Sequence, residues 1–392
     1  MYTIRLIEEV WERDRCAGCA TCIAACSKHV LVRGEEHPTR RVIEQAIGLS
    51  RFPMDTCSFC QHFCEAVCPR LEHGARKASM ALVAAKASGV LGGGEPNDVV
   101  RNMLIAARAS GLIDGALLAD TSVTGTTRAR VALTPGDIAE STAFQAVWTP
   151  VLTALNEAVF GLGLRKLAIV GTPCAAEGVR RLLDSPLERL APYKQAIRLN
   201  IAVFCTGVYS QAALTDILVN GMGVTPEEVR RVTSSPRRGT LRAELWSGAV
   251  REMDLSQVER YTRKGCARCD DYLGESADLA VGTVGAPEGY STVIVRSDIG
   301  LAAVQNATTM KLLETSDVVD EVALEQARAH KDRRERAQAF DELQVLMMNA
   351  LRDPRKRAEV KQKFDMMYGG AGRVTGRKED YRYAGCGDCS GC

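Results

Sequence analysis

Fifteen cysteines in a chain of 392 residues are the side chains on which chemistry can be built, and they are grouped rather than scattered. Cys16, Cys19, Cys22 and Cys26 lie in CAGCATCIAAC, and Cys57, Cys60, Cys64 and Cys68 lie in CSFCQHFCEAVCP. Cys174, Cys205, Cys266 and Cys269 are spread through the middle, and Cys386, Cys389 and Cys392 close the chain as CGDCSGC. The N-terminal MYTIRLIEEVWERDRC carries Glu8, Glu9, Glu12 and Asp14 and does not read as a secretory leader. Without one, an odd number of tightly grouped cysteines argues against a disulfide framework and for metal or redox ligands.

The first group has spacings of two, two and three, the run of a bacterial two-cluster ferredoxin. Three cysteines on such a loop cap three corners of one 4Fe–4S cube, and the fourth points to the neighbouring cube. The second group has a middle spacing of three and ends in Cys68-Pro69. The crossed arrangement places Cys16, Cys19, Cys22 and Cys68 on one cluster, and Cys57, Cys60, Cys64 and Cys26 on the other. Ser27, not proline, follows Cys26. Two zinc sites are the competing reading, since zinc also takes four thiolates. The terminal triplet suits a further cluster lacking a fourth ligand, at a contact with a partner subunit; a flexible tail is the bland alternative.

Cys174 follows KLAIVG in GTPC, and Cys205 ends IRLNIAVFC. Both preceding segments read as buried strands, and the carboxyl ends of parallel strands converge where α/β folds place their sites. Cys266 and Cys269 form a CxxC in KGCARC. These four can close a third 4Fe–4S site; Cys174 and Cys205 also fit as small buried core residues. GTVGAPEGYSTVIVR, residues 282–296, reads as strand, glycine-rich loop and strand. Gly282, Gly285 and Gly289 would let backbone approach a flat ring or a phosphate. A dinucleotide fingerprint would precede a helix, so this loop is not one, and an ordinary glycine-rich turn has the same spacing.

The elements that must hold these residues alternate between strand and helix. DVVRNMLIAARASG, PVLTALNEAVFG, AAEGVRRLLD and YSQAALTDILVNG have helical spacing. LIDGALLA, DLAVGTV and STVIVRS read as strands, and GTLRAEL and GAVREMDL as a hairpin. RKASMALVAAKASGVLGGG reads as a short helix ending at a hinge, Gly92–Gly94. The expected fold is an α/β main domain with a largely parallel or mixed sheet, plus a small α+β ferredoxin-like two-cluster domain. The expected boundaries are 1–90 for the two-cluster domain, 91–320 for the main domain, and 321–392 for a charged helical arm and cysteine-rich tail. Fifty basic and 48 acidic residues leave a net charge of +2, which points away from nucleic acid. No apolar run is long enough for a membrane span, and the expected location is cytoplasmic.

GTPCAAEGVRRL, FCTGVYS, KGCARCDDYLGESADLAVGTVGAPEGYSTVIVRSDIG and GLIDGALLA together resemble the beta subunit family of coenzyme F420 hydrogenases and dehydrogenases, over about residues 97–310. The resemblance implies FAD beside a 4Fe–4S cluster ligated by Cys174, Cys205, Cys266 and Cys269. It makes the loop carrying Gly282, Thr283, Gly285, Gly289, Ser291 and Thr292 an element of the flavin site. Thr172, Lys264 and Arg268 border that site and could orient anionic cofactor groups, or be solvated surface residues. Where the family has Gly-Gly-x-x-Thr, this chain has Asn97, Asp98 and Arg101.

The implied activity exchanges a hydride between coenzyme F420, or a similar two-electron carrier, and FAD. Single electrons would then pass through 4Fe–4S clusters to a partner redox subunit of hydrogenase, formate dehydrogenase or heterodisulfide-reductase type, or to a ferredoxin. The alternatives are a family reductase acting on another organic acceptor, and a flavin-free relay. No acid–base dyad, nucleophilic triad or Walker loop is visible, so no catalytic side chain is assigned.

Overall fold

The computed structural model describes residues 5–40, 62–121, 127–141, 147–235, 239–352 and 361. Its centre is an eight-stranded mixed sheet. In chain order the strands are β1 Ala81–Ala87, β2 Gly115–Thr121, β3 Thr127–Ala132, β4 Leu167–Gly171, β5 Ile197–Val203, β6 Leu279–Gly282, β7 Ser291–Val295 and β8 Leu313–Ser316. Their spatial order is β8-β1-β7-β6-β5-β4-β2-β3. β2, β4, β5 and β6 are parallel neighbours, and every other pairing is antiparallel. The sheet is therefore mixed, with a parallel centre.

LAIVG and IRLNIAV form β4 and β5 because near-continuous aliphatic runs can be buried on both faces of a sheet. Alternation then divides them. Ala168 and Val170 of β4 face helices α1 (Pro96–Ala109) and α3 (Asp298–Thr309), together with Val99, Met103, Ala303 and Ala307. Leu167 and Ile169 face the opposite layer, with Val179 and Leu182 of α2 (Pro173–Asp184). That second layer also buries Ala20, Ala24, Phe63 and Val67, so the N-terminal cysteine segments join the layer on this face of the sheet. A separate three-stranded antiparallel sheet joins the expected hairpin (240–245 with 250–254) to a strand at 229–235.

The expected helix over residues 76–91 is a correction. ALVAAKA is β1, an interior strand paired with β7 and β8, with Ala84 and Ala85 fully buried. Alanine favours helix, but about seven residues between breakers are too few for a helix to persist alone, and two ladders of hydrogen bonds outweigh propensity. The glycine triplet is likewise no free hinge, since Ala87 and Gly93 exchange backbone hydrogen bonds.

A compact unit runs to Glu335 and a second begins at Arg336; helix α4 spans Glu321–Arg352. No helix among the described residues is long and apolar enough to cross a membrane.

Candidate functional site

The end of β4 sets the first ligand position. Gly171 closes the strand, Thr172 caps α2 in extended backbone, and Pro173 opens the helix where its missing N–H costs nothing. Cys174 follows in the first turn, its Sγ 3.1 Å from Thr172 Oγ1. Cys205 lies just past β5, its N–H donating to Tyr272 O at 3.3 Å. Cys266 sits in the single helical turn Lys264–Ala267, and Cys269 follows it, with its thiol donating to Asp271 O at 3.6 Å. Three distant segments thus converge: Cys269 faces Cys174, and Cys205 faces Cys266 and Cys269. Cys205, Cys266 and Cys269 are buried and Cys174 is half-buried.

Two buried cations face this group, and sequence reasoning missed both. Arg70, directly after Cys68-Pro69, donates to Arg268 O at 3.1 Å and Gly265 O at 3.3 Å. Its guanidinium also hydrogen-bonds the Cys269 thiol and faces Cys174. Lys331 of α4 donates to Cys205 O at 2.5 Å and Asp271 O at 2.9 Å. Burial pushes the Cys205 thiol up to about 12 and the Cys174 thiol upward. At Cys269 burial acts the same way, but Lys331 and Arg70 outweigh it and the thiol is held below its ordinary value.

A donor set of four enclosed thiols opposed by two cations fits an anionic cluster better than it fits an apolar core. Arg70 Nε is itself buried with no hydrogen-bond partner, an orphan polar atom of the sort a cluster sulfide would meet. Among the described residues no three His, Cys, Asp or Glu side chains stand close enough to hold one metal ion.

The first N-terminal group forms a second convergence. Cys22 faces Cys19, Cys16, Cys68 and Cys64, and Cys68 faces Cys19 and Cys16. Burial pushes Cys16 up to about 11 and Cys68 up to about 12. Gly18 turns the loop at φ +72°, and any side chain there would run into Arg263 and Trp148. Trp148 Nε1 donates to Gly18 O at 2.8 Å, Arg263 stacks 3.9 Å above its ring, and Arg263 donates to Ala17 O. Cys26 packs beside this cluster of residues. Cys57, Cys60, Cys386, Cys389 and Cys392 lie outside the described residues. The two convergences adjoin, because Cys174 faces Cys19 and its thiol donates to Ala17 O at 3.6 Å.

The residues expected around a flavin are divided among several places. Gly282 ends β6 against the Phe204 ring, and Gly285, at φ +86°, accepts from Asp320 N at 2.7 Å. Ser291 and Thr292 are fully buried, their hydroxyls donating to Gly94 O and Val284 O. Gly94 and Gly289 pack backbone to backbone with no room for a Cβ at Gly94. Thr283 continues the chain from β6 into this loop. Thr172 belongs to the Cys174 thiol rather than to this loop. Lys264 is exposed and pairs with Asp14 at 2.9 Å, and Arg268 pairs with Glu335. At the start of α1, Asp98 pairs with Arg101 at 2.5 Å, and Arg101 also donates to Ala139 O and Ser141 O. A cavity of about 280 Å³ opens beside the four-cysteine group, lined by Thr206, Gly207, Tyr209, Tyr272, Lys331 and Arg334.

The strand ends of this mixed α/β sheet thus gather cysteines between two buried cations. Residues 164–321 match the family described as the C-terminal part of the coenzyme F420 hydrogenase/dehydrogenase beta subunit. An uncharacterized protein of Methanocaldococcus jannaschii is 33% identical over 351 residues, 84% of this chain and 96% of that one. The beta subunit of the coenzyme F420 hydrogenase of Methanococcus voltae is 28% identical over 213 residues, 54% of this chain and 74% of that one. In fold, a chain from the F420-reducing NiFe hydrogenase complex of Methanosarcina barkeri superposes with a TM-score of 0.61 at 22% identity, covering 68% of this chain and 93% of that one. The chain belongs to the coenzyme F420 hydrogenase/dehydrogenase beta subunit family, and it is an oxidoreductase.

Proposed function

We propose that this chain is a flavo-iron–sulfur electron-transfer subunit working in the cytoplasm. The observation that carries the reading is the convergence of Cys174, Cys205, Cys266 and Cys269 between Arg70 and Lys331. These four hold one 4Fe–4S cluster. Cys16, Cys19, Cys22 and Cys68 hold a second, while Cys26 and Cys64 join Cys57 and Cys60 on a third. The terminal Cys386, Cys389 and Cys392 serve a contact with a partner subunit. The segment before β1 acts as the two-cluster module, the main sheet with β1 (81–87) and its helices as the flavin and iron–sulfur domain, and 321–392 as the arm and tail. The contact of the Cys174 thiol with Ala17 O, between Cys16 and Cys19, supports passage of single electrons between the first two sets.

The loop 282–292 would hold FAD, which would supply hydride exchange with coenzyme F420 or a similar carrier and one-electron release. The residues of this chain set spacing, exclude water and balance charge around the clusters. Partners are other redox subunits of hydrogenase, formate dehydrogenase or heterodisulfide-reductase type, or a ferredoxin; relatives named as hydrogenase and dehydrogenase subunits support this.

A second reading rests on Asp98. Its carboxylate stands at the N-terminus of α1, paired with Arg101, where the family has glycines. A helix N-terminus favours phosphate, but a resident carboxylate repels it. That favours a family member acting on another organic acceptor, or a relay without flavin.

Anaerobic purification with flavin and iron measured on one sample tests the proposal. About twelve irons per chain, four for each of three clusters, with FAD near one per chain supports it. Iron without flavin selects the relay, and about eight irons or fewer shows that at least one of the three clusters is absent.

A further inference from the structure

We propose that Lys331, carried to the site by α4, is a positioning residue that raises the reduction potential of the Cys174/Cys205/Cys266/Cys269 centre. This rests on the reading that those four cysteines hold a cluster. Lys331 is 4% exposed. Its ammonium donates to two carbonyls, Cys205 O and Asp271 O. Among the described residues no carboxylate makes an ion pair with it, and the nearby Asp271 carboxylate is taken by the N–H groups of Gly274 and Glu275. Two carbonyls do not neutralise a buried charge, which costs several kcal/mol to desolvate. The missing counter-charge is the thiolate set itself, since Lys331 faces Cys269, Cys205 and Cys266.

A reduced centre carries one more negative charge than an oxidised one. A fixed buried cation beside it therefore stabilises the reduced state more than the oxidised state. Arg70 cannot discriminate between the two convergences, because it faces Cys269 and Cys174 on one side and Cys16 and Cys19 on the other. The cysteines that Lys331 faces, Cys269, Cys205 and Cys266, are all members of the middle set. It also lies beyond residues 164–321, so it is not part of the matched family region.

The test is an EPR-monitored redox titration of the full chain, prepared anaerobically with its iron. A wild-type sample without the middle centre's signal would sink the parent reading, and this inference with it. With that signal present, Lys331→Met should shift the ratio of reduced to oxidised centre at least tenfold toward oxidised at fixed ambient potential, about 59 mV for a one-electron couple. Lys331→Arg should restore most of that ratio. Lys166→Met, a surface change at the opposite end of β4, should leave it unmoved. An unchanged midpoint in Lys331→Met overturns the inference. If that variant loses the middle centre's iron, Lys331→Gln, which keeps a donor without the charge, decides. A lowered midpoint in Lys331→Gln supports the inference; an unchanged one, or renewed loss of iron, shows that the lysine only holds the loop and overturns it.

Discussion

Gly178→Ala sets two known effects against each other. Gly178 lies in the interior of α2, where alanine is the better helix former by about 1 kcal/mol. Propensity alone therefore predicts stabilisation. The added Cβ, however, would overlap Thr21 Oγ1, and would stand 3.2 Å from Thr21 Cβ and 3.4 Å from Cys19 Sγ. Thr21 is fully buried, and its hydroxyl donates to Cys19 Sγ at 3.2 Å. Overpacking costs about 1–3 kcal/mol, and displacing Thr21 forfeits a hydrogen bond of about 1 kcal/mol. The net expectation is destabilisation by about 1–3 kcal/mol, or a melting temperature lower by about 1–4 °C for a chain of this size. The assay is an anaerobic thermal melt of the full chain, with iron measured on the same sample. Gly178→Ala/Thr21→Ala should recover part of the loss, a coupling that two independent sites would not show. A single variant as stable as wild type would refute the claim that helix α2 and the first cysteine loop are in hard contact.

Three further outcomes are expected. The Glu177 carboxylate, 3.0 Å from His73 Nδ1, raises the imidazole above its ordinary 6.5; burial opposes this, Asp270 reinforces it and Arg76 opposes it. A raised folded value means the contribution is full below about pH 6.5 and disappears as pH climbs through the folded value. The gap in melting temperature between wild type and His73→Gln should thus close on going from pH 6 to pH 9, and a widening gap would reverse the argument. Gly94→Ala forces a methyl into the Gly289 backbone, which cannot rotate away; a loss of about 2–3 kcal/mol is expected, with flavin content falling and iron unchanged. Thr134→Ala removes the reciprocal cap with Asp137 at the end of edge strand β3, and denaturant unfolding should show a loss of about 1 kcal/mol with full iron content.

What was legible in the sequence depended on how strongly a segment's pattern matched its burial. KLAIVG and IRLNIAVFC read as strands because unbroken aliphatic runs have one common use in an α/β fold, and β4 and β5 follow them closely. ALVAAKA did not, because alanine carries no strand preference and only pairing with β7 and β8 reveals it. VRRVTSS at 229–235 was passed over because polar residues interrupt its alternation. The middle cysteines could be singled out by type and position, and the fold brings them together. Arg70, Arg263 and Lys331 could not, since a charged side chain in a charged stretch looks like surface. One signal existed: Leu324, Ala327 and Lys331 recur at helical spacing on one face of α4, so the lysine falls in the stripe that the leucine buries. Lys264, an attractive cation beside CxxC, is exposed and pairs with Asp14, the surface alternative that its sequence context left open.

The four-cysteine group is flanked by Arg70 from one end of the chain and Lys331 from the other, and this has a consequence in time. About 260 residues separate them, which a ribosome takes about 13–50 s to add at about 5–20 residues per second. For that interval Cys16, Cys19, Cys22 and Cys68 have emerged while the surfaces that bury them against the main sheet are still being made. Thiols waiting in the open are the ones oxygen and stray copper or zinc reach first. On the reading that these thiols hold clusters, slowing translation between codons 70 and 331 should lower the iron content of the finished protein without altering its sequence.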